Sequence, residues 1–566
     1  MRIHHVSIEH FRGIERGEAT FADGVVCLIG PGDSTKSTIL DAIEYVLCPN
    51  WFIPLDDSDF TDTDITQQIR IDVTVGPVPE DLQSDSRFGL HLRGWSPKEK
   101  VVHDDPAEHD DDERVLTIRL QVDRDLAPEW LVVTDRSQDG VRISYRDRQR
   151  FRVSRIGANA DNELSWTRGS ALLRLTQDTG DADRILLNGT RELRGKCNLE
   201  DVADLSKSIA ATHKGAATLG LSLPSLRVDI DPKSLRANAA TLSLHNNKVP
   251  ARRLGLGTRR LLAIGAQLQA IQEGAIVLID EIEHALEPHR IKHLIRTLVN
   301  SIGNGAGQII MTSHSPATLE ELGAEPLWIV RSDEGTTRVN RVAKAAQGTV
   351  RAIPEAFLSP RVVVCEGATE VGLLRSYEEL ILSPKSESLA LHGVLIVDGT
   401  GRAGPDRALD LQNHGYDVCG FADSDDSHGW LSFNKGLKDA GVRVLLWEGH
   451  CCTEERVVSD LPDKKSLLDL VNTALGAGVE DKSALGAINA RLTPPKLSSL
   501  AEILAYDNDG ALRPAISGAA VAGKWFRTIS RGELLGEFLF KQVFTRMENT
   551  DFYRKLQMLE EWVLAK

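Results

Sequence analysis

An apolar run, Val25-Val26-Cys27-Leu28-Ile29, stops at the loop Gly30-Pro31-Gly32-Asp33-Ser34-Thr35-Lys36-Ser37, and a helical pattern from Ser37 to Leu47 follows at once. A buried strand that feeds a helix through such a loop commits this part of the chain to an α/β layer, where backbone amides and a helix N-terminus converge on one anion. Gly30, Gly32, Asp33, Ser34, Thr35 and Thr38 are the expected phosphate contacts, Lys36 reaches the outer phosphates, and Ser37 holds a magnesium ion. Thr35 departs from the usual pattern, which has glycine before the lysine, and its side chain alters how closely the loop wraps a phosphate. Far downstream, Ile276-Val277-Leu278-Ile279-Asp280-Glu281 is a second buried strand ending in two acids. That is the order needed by a magnesium-ordering aspartate followed by a water-polarising glutamate. Together the two segments predict a domain that binds ATP with one magnesium ion.

A second set of strand ends carries more carboxylates. Val362-Val363-Val364-Cys365 runs into Glu366-Gly367-Ala368-Thr369-Glu370, and Val418-Cys419-Gly420-Phe421-Ala422 runs into Asp423-Ser424-Asp425. Residues four apart share a helix face, so Glu366 at a strand end and Glu370 in the first turn can address one cation. Ligands in parallel sheets gather at these carboxyl ends. Asp398, in Val397-Asp398-Gly399-Thr400-Gly401, reads equally as a further ligand and as a turn former. Asp426 reads as merely solvated. Oxygen-only donors select Mg²⁺ or Mn²⁺ over zinc, and two such ions about 4 Å apart can activate water and stabilise the leaving oxygen of a phosphodiester.

A chain of 566 residues exceeds one core and implies two to four domains. Its net charge of −16 makes the average surface repel nucleic acid, so any such contact needs a local basic patch or a bridging metal. The seven cysteines, Cys27, Cys48, Cys197, Cys365, Cys419, Cys451 and Cys452, form no CxxC pair, which reads as a reduced, cytoplasmic protein without structural zinc. No segment reads as a signal peptide or a membrane span. Short strands and acidic loops fill the stretch between the two nucleotide segments, the extreme being His103 to Glu113, which reads as a solvated loop. The expected organisation is a nucleotide domain over residues 1–350 with roughly 77–240 inserted as an α+β dimerisation segment. A carboxylate domain over 356–535 and a helical segment over 536–566 follow.

Leu254-Gly255-Leu256-Gly257-Thr258-Arg259-Arg260 resembles the ABC-type signature loop, with Gly255 where serine is customary, and His314 in Ser313-His314-Ser315-Pro316 resembles the histidine that senses the γ-phosphate. The strand-end acids resemble a toprim domain, and with Asp280-Glu281-Ile282-Glu283-His284-Ala285-Leu286-Glu287-Pro288 the chain is similar to the OLD (overcoming lysogenisation defect) family of nucleases. That resemblance implies an ABC-type P-loop ATPase head with an inserted α+β segment, followed by a Rossmann-like parallel toprim sheet with C-terminal helices. It implies ATP, two Mg²⁺ or Mn²⁺ ions at the toprim site, and DNA as substrate. It also implies a homodimer or larger homo-oligomer formed through the heads, a role in bacterial anti-phage defence, and a helicase or reverse-transcriptase and non-coding-RNA partner. The family's further acid falls on Glu455, with Glu454 and Glu448 as competitors. Its basic residue falls on Lys524 or Arg527, where an arginine keeps the charge but not the point-donor geometry. Glu281 is the catalytic acid of the ATPase.

Other functions fit less well. A DNA-binding repair ATPase of the Rad50 type needs a long coiled coil between Lys36 and Asp280, and no sustained heptads occur there, whereas a non-catalytic sensor, in which ATP binding signals to a partner, stays open because of Thr35 and Gly255. A topoisomerase needs a nucleophilic tyrosine in an added domain, and none of the six tyrosines has a recognisable context. A primase needs a zinc module that these cysteines do not build.

Overall fold

The computed structural model describes residues Met1 to Ala565 except 22, 48, 50–52, 107–110, 157–162, 168–169, 177–179, 198, 200–201, 220, 222–224, 229–240, 271–273 and 304–306. Cys48, the middle of the acidic run and the end of the expected insertion therefore lie outside the described residues.

The first half of the chain is built on one fourteen-stranded sheet. Five strands at one end run parallel in the order Val153–Ile156, Ile276–Ile279, Gln308–Thr312, Val25–Ile29 and Leu327–Asp333. The run Ile276–Ile279 is wholly buried because both of its faces are covered, as strands in parallel sheets are. Alternation sends Ile276 and Leu278 into the core beneath helix Lys36–Leu47, while Val277 and Ile279 pack with Ile291, Ile295 and Leu298 of helix Pro288–Gly303. The sheet then continues through Thr336–Arg341, Ile14–Thr20, Arg2–Phe11, Ile69–Gly76 and Glu113–Val122.

That continuation changes the reading of the insertion. Ile69–Gly76 pairs antiparallel with Arg2–Phe11, and Glu113–Val122 pairs with it in turn, so much of residues 77–156 extends the nucleotide sheet. Among the described residues the segment carries the helices Tyr145–Arg148, Ala171–Leu175, Gly180–Lys196 and Ala203–Thr218.

The second sheet has four parallel strands in the order Val394–Asp398, Arg361–Cys365, Asp417–Ala422 and Arg443–Leu446. Its register sets Cys365 opposite both Asp398 and Phe421, so the three strands end level and their acids share one edge. Helix Ala368–Tyr377 crosses helix Ile529–Phe538 closely. A Cβ on Gly372 would meet the Ile529 carbonyl at 2.2 Å, and one on Gly532 would meet that of Thr369 at 2.6 Å. Only glycine permits this approach. The boundary expected at residues 535 and 536 falls inside helix Ile529–Phe538, and the last helix, Asp551–Leu564, packs Leu556, Leu559 and Val563 into the same core as Leu373 and Tyr377.

The two sheets meet across a shared apolar cluster that joins Ile329, Val350 and Phe357 to Val362, Val364 and Tyr416. Tyr416 donates its hydroxyl to the Phe357 carbonyl at 2.8 Å, and the Arg331 guanidinium lies 4.3 Å from the centre of the Tyr416 ring. Among the described residues no helix is long and apolar enough to cross a membrane.

Candidate functional site

Two polar centres stand at the carboxyl ends of the two sheets. At the nucleotide loop, Gly30 has φ +145° and passes so close to the next strand that a Cβ would lie 2.4 Å from the Val330 carbonyl. Asp33 and Thr35 sit at φ 56° and 63°. For threonine that is a strained conformation, costing on the order of 1–2 kcal/mol. The Thr35 hydroxyl is held by the Ser34 carbonyl at 2.6 Å and by Thr337 at 3.1 Å. Lys36 donates to the carbonyls of Gly30 (3.2 Å) and Pro31 (2.6 Å) and to the Ser34 hydroxyl (2.8 Å), so the loop is folded around its own lysine. Burial pushes the Lys36 ammonium down to about 8. Ser37 donates to Asp280 Oδ1 at 3.1 Å. The same aspartate is fixed by the Thr312 hydroxyl (2.6 Å) and the Arg155 guanidinium (3.1 Å).

The remaining nucleotide residues lie nearby. Glu281 is exposed and stands 3.3 Å from the His284 ring. His314 is exposed at the end of Gln308–Thr312, with its backbone amide donated to Glu283 at 2.6 Å and its imidazole pKa lowered by burial and then by the Lys36 charge. Gly257 opens helix Leu256–Ala270 against the Ala285 carbonyl, which a Cβ would approach to 2.4 Å. Thr38 continues the first turn of helix Lys36–Leu47.

At the second centre, carboxylate oxygens of Glu366, Asp423 and Asp425 lie within 4.8 Å of one another. Glu366 Oε2 accepts the Asp423 amide at 2.9 Å. Glu370 is buried behind them, and its Oε2 accepts the Gly367 amide at 3.1 Å. The Thr453 hydroxyl lies 2.7 Å from Glu370 Oε1 and 2.8 Å from Asp423 Oδ1, and it also accepts the Trp447 indole N–H at 2.8 Å. One hydroxyl has one hydrogen to give, so both short contacts are satisfied only when one of the two acids carries a proton. Burial agrees with this: it pushes the Glu370 carboxyl up to about 8 and raises Asp423 well above the carboxylate range, with the neighbouring acids adding to both shifts.

The helix Thr453–Asp460 separates the two adjacent glutamates by face. Glu454 is buried, raised by that burial, and has an Oε1 without a hydrogen-bond partner, whereas Glu455 turns back to accept the Cys452 amide at 3.2 Å as a cap. Glu454 is close enough to Glu370 and Asp423 to raise them, and the Arg527 charge acts on it. Glu448 is drawn off by Arg554 at 3.3 Å. Asp398 closes a turn by accepting the Thr400 amide at 2.7 Å, and Asp426 accepts the Ser432 amide of helix Trp430–Asp439 at 2.9 Å. Lys524 is exposed with φ 51°. Arg527 is also exposed and follows Phe526, whose carbonyl accepts the Thr369 hydroxyl at 3.1 Å. Two neighbours carried no local signal in the sequence: Thr453, and His428, whose Nδ1 lies 2.5 Å from Glu366 Oε1.

The donor set fits a divalent cation. It is all oxygen at its centre, and its crowded, partly buried carboxylates have His428 against Glu366 and the Arg527 charge acting on Glu454.

The chain is similar to known proteins along most of its length. The OLD nuclease of Thermus scotoductus is 24% identical over 551 residues, which take in 88% of this chain and 98% of that one. The SMC head domain from Thermotoga maritima is matched at 13% identity over 61% of this chain and 100% of that chain, with a TM-score of 0.30. The SMC head bound to the C-terminal winged-helix domain of ScpA is matched at 15% identity over 61% and 99%, with a TM-score of 0.33. The family described as "AAA domain, putative AbiEii toxin, Type IV TA system" matches residues 25–320. That match spans more than half of the sequence, and the similarity to the OLD nuclease runs along most of its length, so the chain belongs to this AAA-domain family.

Proposed function

We propose that the chain is an ATP-regulated, divalent-metal-dependent DNA endonuclease of the cytoplasm, serving anti-phage defence or DNA processing and assembling through its ATPase heads. The observation that carries this reading is the convergence of Glu366, Asp423 and Asp425 on one point at a strand-end edge, with Glu370 and Glu454 buried alongside. Bound there, Mg²⁺ or Mn²⁺ supplies a water made acidic enough to attack and a counter-charge for the leaving oxygen.

The chain's own residues prepare that chemistry. Glu366, Asp423 and Asp425 hold the cation, with Glu366 fixed through the Asp423 amide. Glu370 and Asp423 share one proton around Thr453, and a cation held at this edge would favour their ionised forms. Arg527, with Lys524 close by in sequence, supplies the cationic side toward a DNA phosphate on a chain whose overall charge is −16. At the head, Lys36, now bonded to the Gly30 and Pro31 carbonyls, would turn to the phosphates of ATP, Ser37 and Asp280 would hold the magnesium, and Glu281 would orient the attacking water. His314 faces the γ-phosphate, and Gly257 belongs to the loop that closes a neighbouring subunit's site.

The reading is tested by incubating plasmid with the purified protein and Mg²⁺ or Mn²⁺, with and without ATP, for wild type and the Lys36→Ala, Glu366→Ala and Asp423→Ala variants. Cleavage by wild type that is lost in the two acid variants and altered in its ATP response in Lys36→Ala is the expected outcome. Intact plasmid under every condition, or equal cutting by Glu366→Ala, sinks the nuclease assignment.

A further inference from the structure

His428 stands at the acidic edge with a role that the ligand set above does not include. It lies in the turn before helix Trp430–Asp439, 62 residues from Glu366 in sequence, yet its Nδ1 is 2.5 Å from Glu366 Oε1. A carboxylate offers only acceptors, so Nδ1 carries the hydrogen and donates it. The other oxygen of Glu366 accepts the Asp423 amide at 2.9 Å. With one donor on each oxygen, the plane of the carboxylate is fixed toward Asp423 and Asp425.

The ring is itself held in place. Gly401, at φ +67°, leaves room for it: a Cβ at that position would come within 2.9 Å of the ring Cδ2. The Gly401 amide in turn donates to the Glu366 carbonyl at 2.8 Å, and the Ser427 hydroxyl lies 3.0 Å from Nδ1. The imidazole thus ties the loop after Val394–Asp398 to the loop after Asp417–Ala422 across the one acid that the strand between them supplies. A protein group that hydrogen-bonds a ligating carboxylate sets its direction, and losing such a group typically costs about 10–100-fold in metal affinity or activity.

We infer that His428 is a positioning residue of the metal centre, holding Glu366 in the orientation in which it ligates the cation. The inference rests on the reading of Glu366, Asp423 and Asp425 as ligands. Its test is Mn²⁺ binding to the nucleotide-free, full-length protein, followed by electron paramagnetic resonance and calorimetry, for wild type, His428→Ala, His428→Asn and Asp423→Asn. Asp423→Asn is the blank that reports the site. His428→Ala is expected to weaken the Asp423-dependent binding about 10–100-fold, and His428→Asn, whose amide nitrogen can stand where Nδ1 stood, is expected to restore most of it. Thermal melting of each variant confirms that it is folded. Wild-type affinity in His428→Ala overturns the inference while leaving the metal site intact, and so does a loss that His428→Asn fails to restore. Wild-type binding that Asp423→Asn does not alter overturns the metal reading and this inference together.

Discussion

The two centres occupy equivalent places, the carboxyl ends of parallel strands, yet they solve the problem of charge in opposite ways. At the nucleotide loop Lys36 and Asp280 both have internal partners: Lys36 is wrapped in carbonyls of its own loop, and Asp280 is held by Ser37, Thr312 and Arg155. At the second centre burial, with neighbouring acids adding to it, pushes Glu370, Asp423 and Glu454 upward, and a buried oxygen of Glu454 is left without a hydrogen-bond partner. Filling the first site requires breaking bonds already made, whereas filling the second relieves repulsion already present. A site of the first kind suits a switch that responds to its ligand by rearranging; one of the second kind suits a fixed catalytic cradle.

The largest expected effect separates the two by chemistry. Glu366→Gln and Asp423→Asn should each lower plasmid cleavage by roughly 10⁴-fold while leaving ATP hydrolysis by the same preparations within about twofold, since members of a reacting unit are lost together. Parallel loss of both activities would mean that the centres are not separable.

Next in size, Lys36→Ala should lower ATP turnover by about 10³-fold in a steady-state hydrolysis assay. Mn²⁺ binding at the Asp423-dependent site should be untouched in that variant, which keeps the comparison sharp.

The pH response follows from the raised acids. Glu370, lifted to about 8 in the folded chain, stays protonated there while its unfolded counterpart ionises, so the metal-free protein should lose stability as pH rises from about 4.5 toward 8 and level off above. Glu370→Gln should flatten this slope in thermal melts across that window. Added Mn²⁺ should raise the melting temperature more at pH 8 than at pH 6.

The smallest effect concerns Thr35. Replacing it by glycine relieves a left-handed threonine but gives up the bond to Thr337, so nucleotide affinity measured by calorimetry should change by no more than about tenfold, in the direction of tighter binding.

The parts of this molecule that were legible in the sequence are those specified by local patterns. A β-branched run ending in an acid marks a buried parallel strand and its carboxyl end together, so Glu366, Asp423 and Asp280 could be assigned to strand ends without any knowledge of pairing. Asp425 followed from its spacing to Asp423. Glu454 and Glu455 could not be told apart, because adjacent residues in a first helical turn differ only in which face the helix buries, and that depends on distant packing. His428 and Thr453 were invisible for the same reason: each reaches the centre through tertiary contact across 62 and 83 residues, respectively. The strands within residues 77–156 read as an insertion because hairpins carry no mark of the sheet they join. The pairing of Glu113–Val122 with Ile69–Gly76 and of Val153–Ile156 with Ile276–Ile279 attaches them.

The central claim, that the second centre is an under-neutralised cradle built for a divalent cation, is tested most directly by calorimetric titration of Mn²⁺ into the nucleotide-free protein at pH 7 in buffers of different ionisation enthalpy. The account predicts binding accompanied by net proton release, retained in Lys36→Ala and lost in Asp423→Asn. Binding without proton release, or binding that Asp423→Asn leaves unchanged, would contradict it.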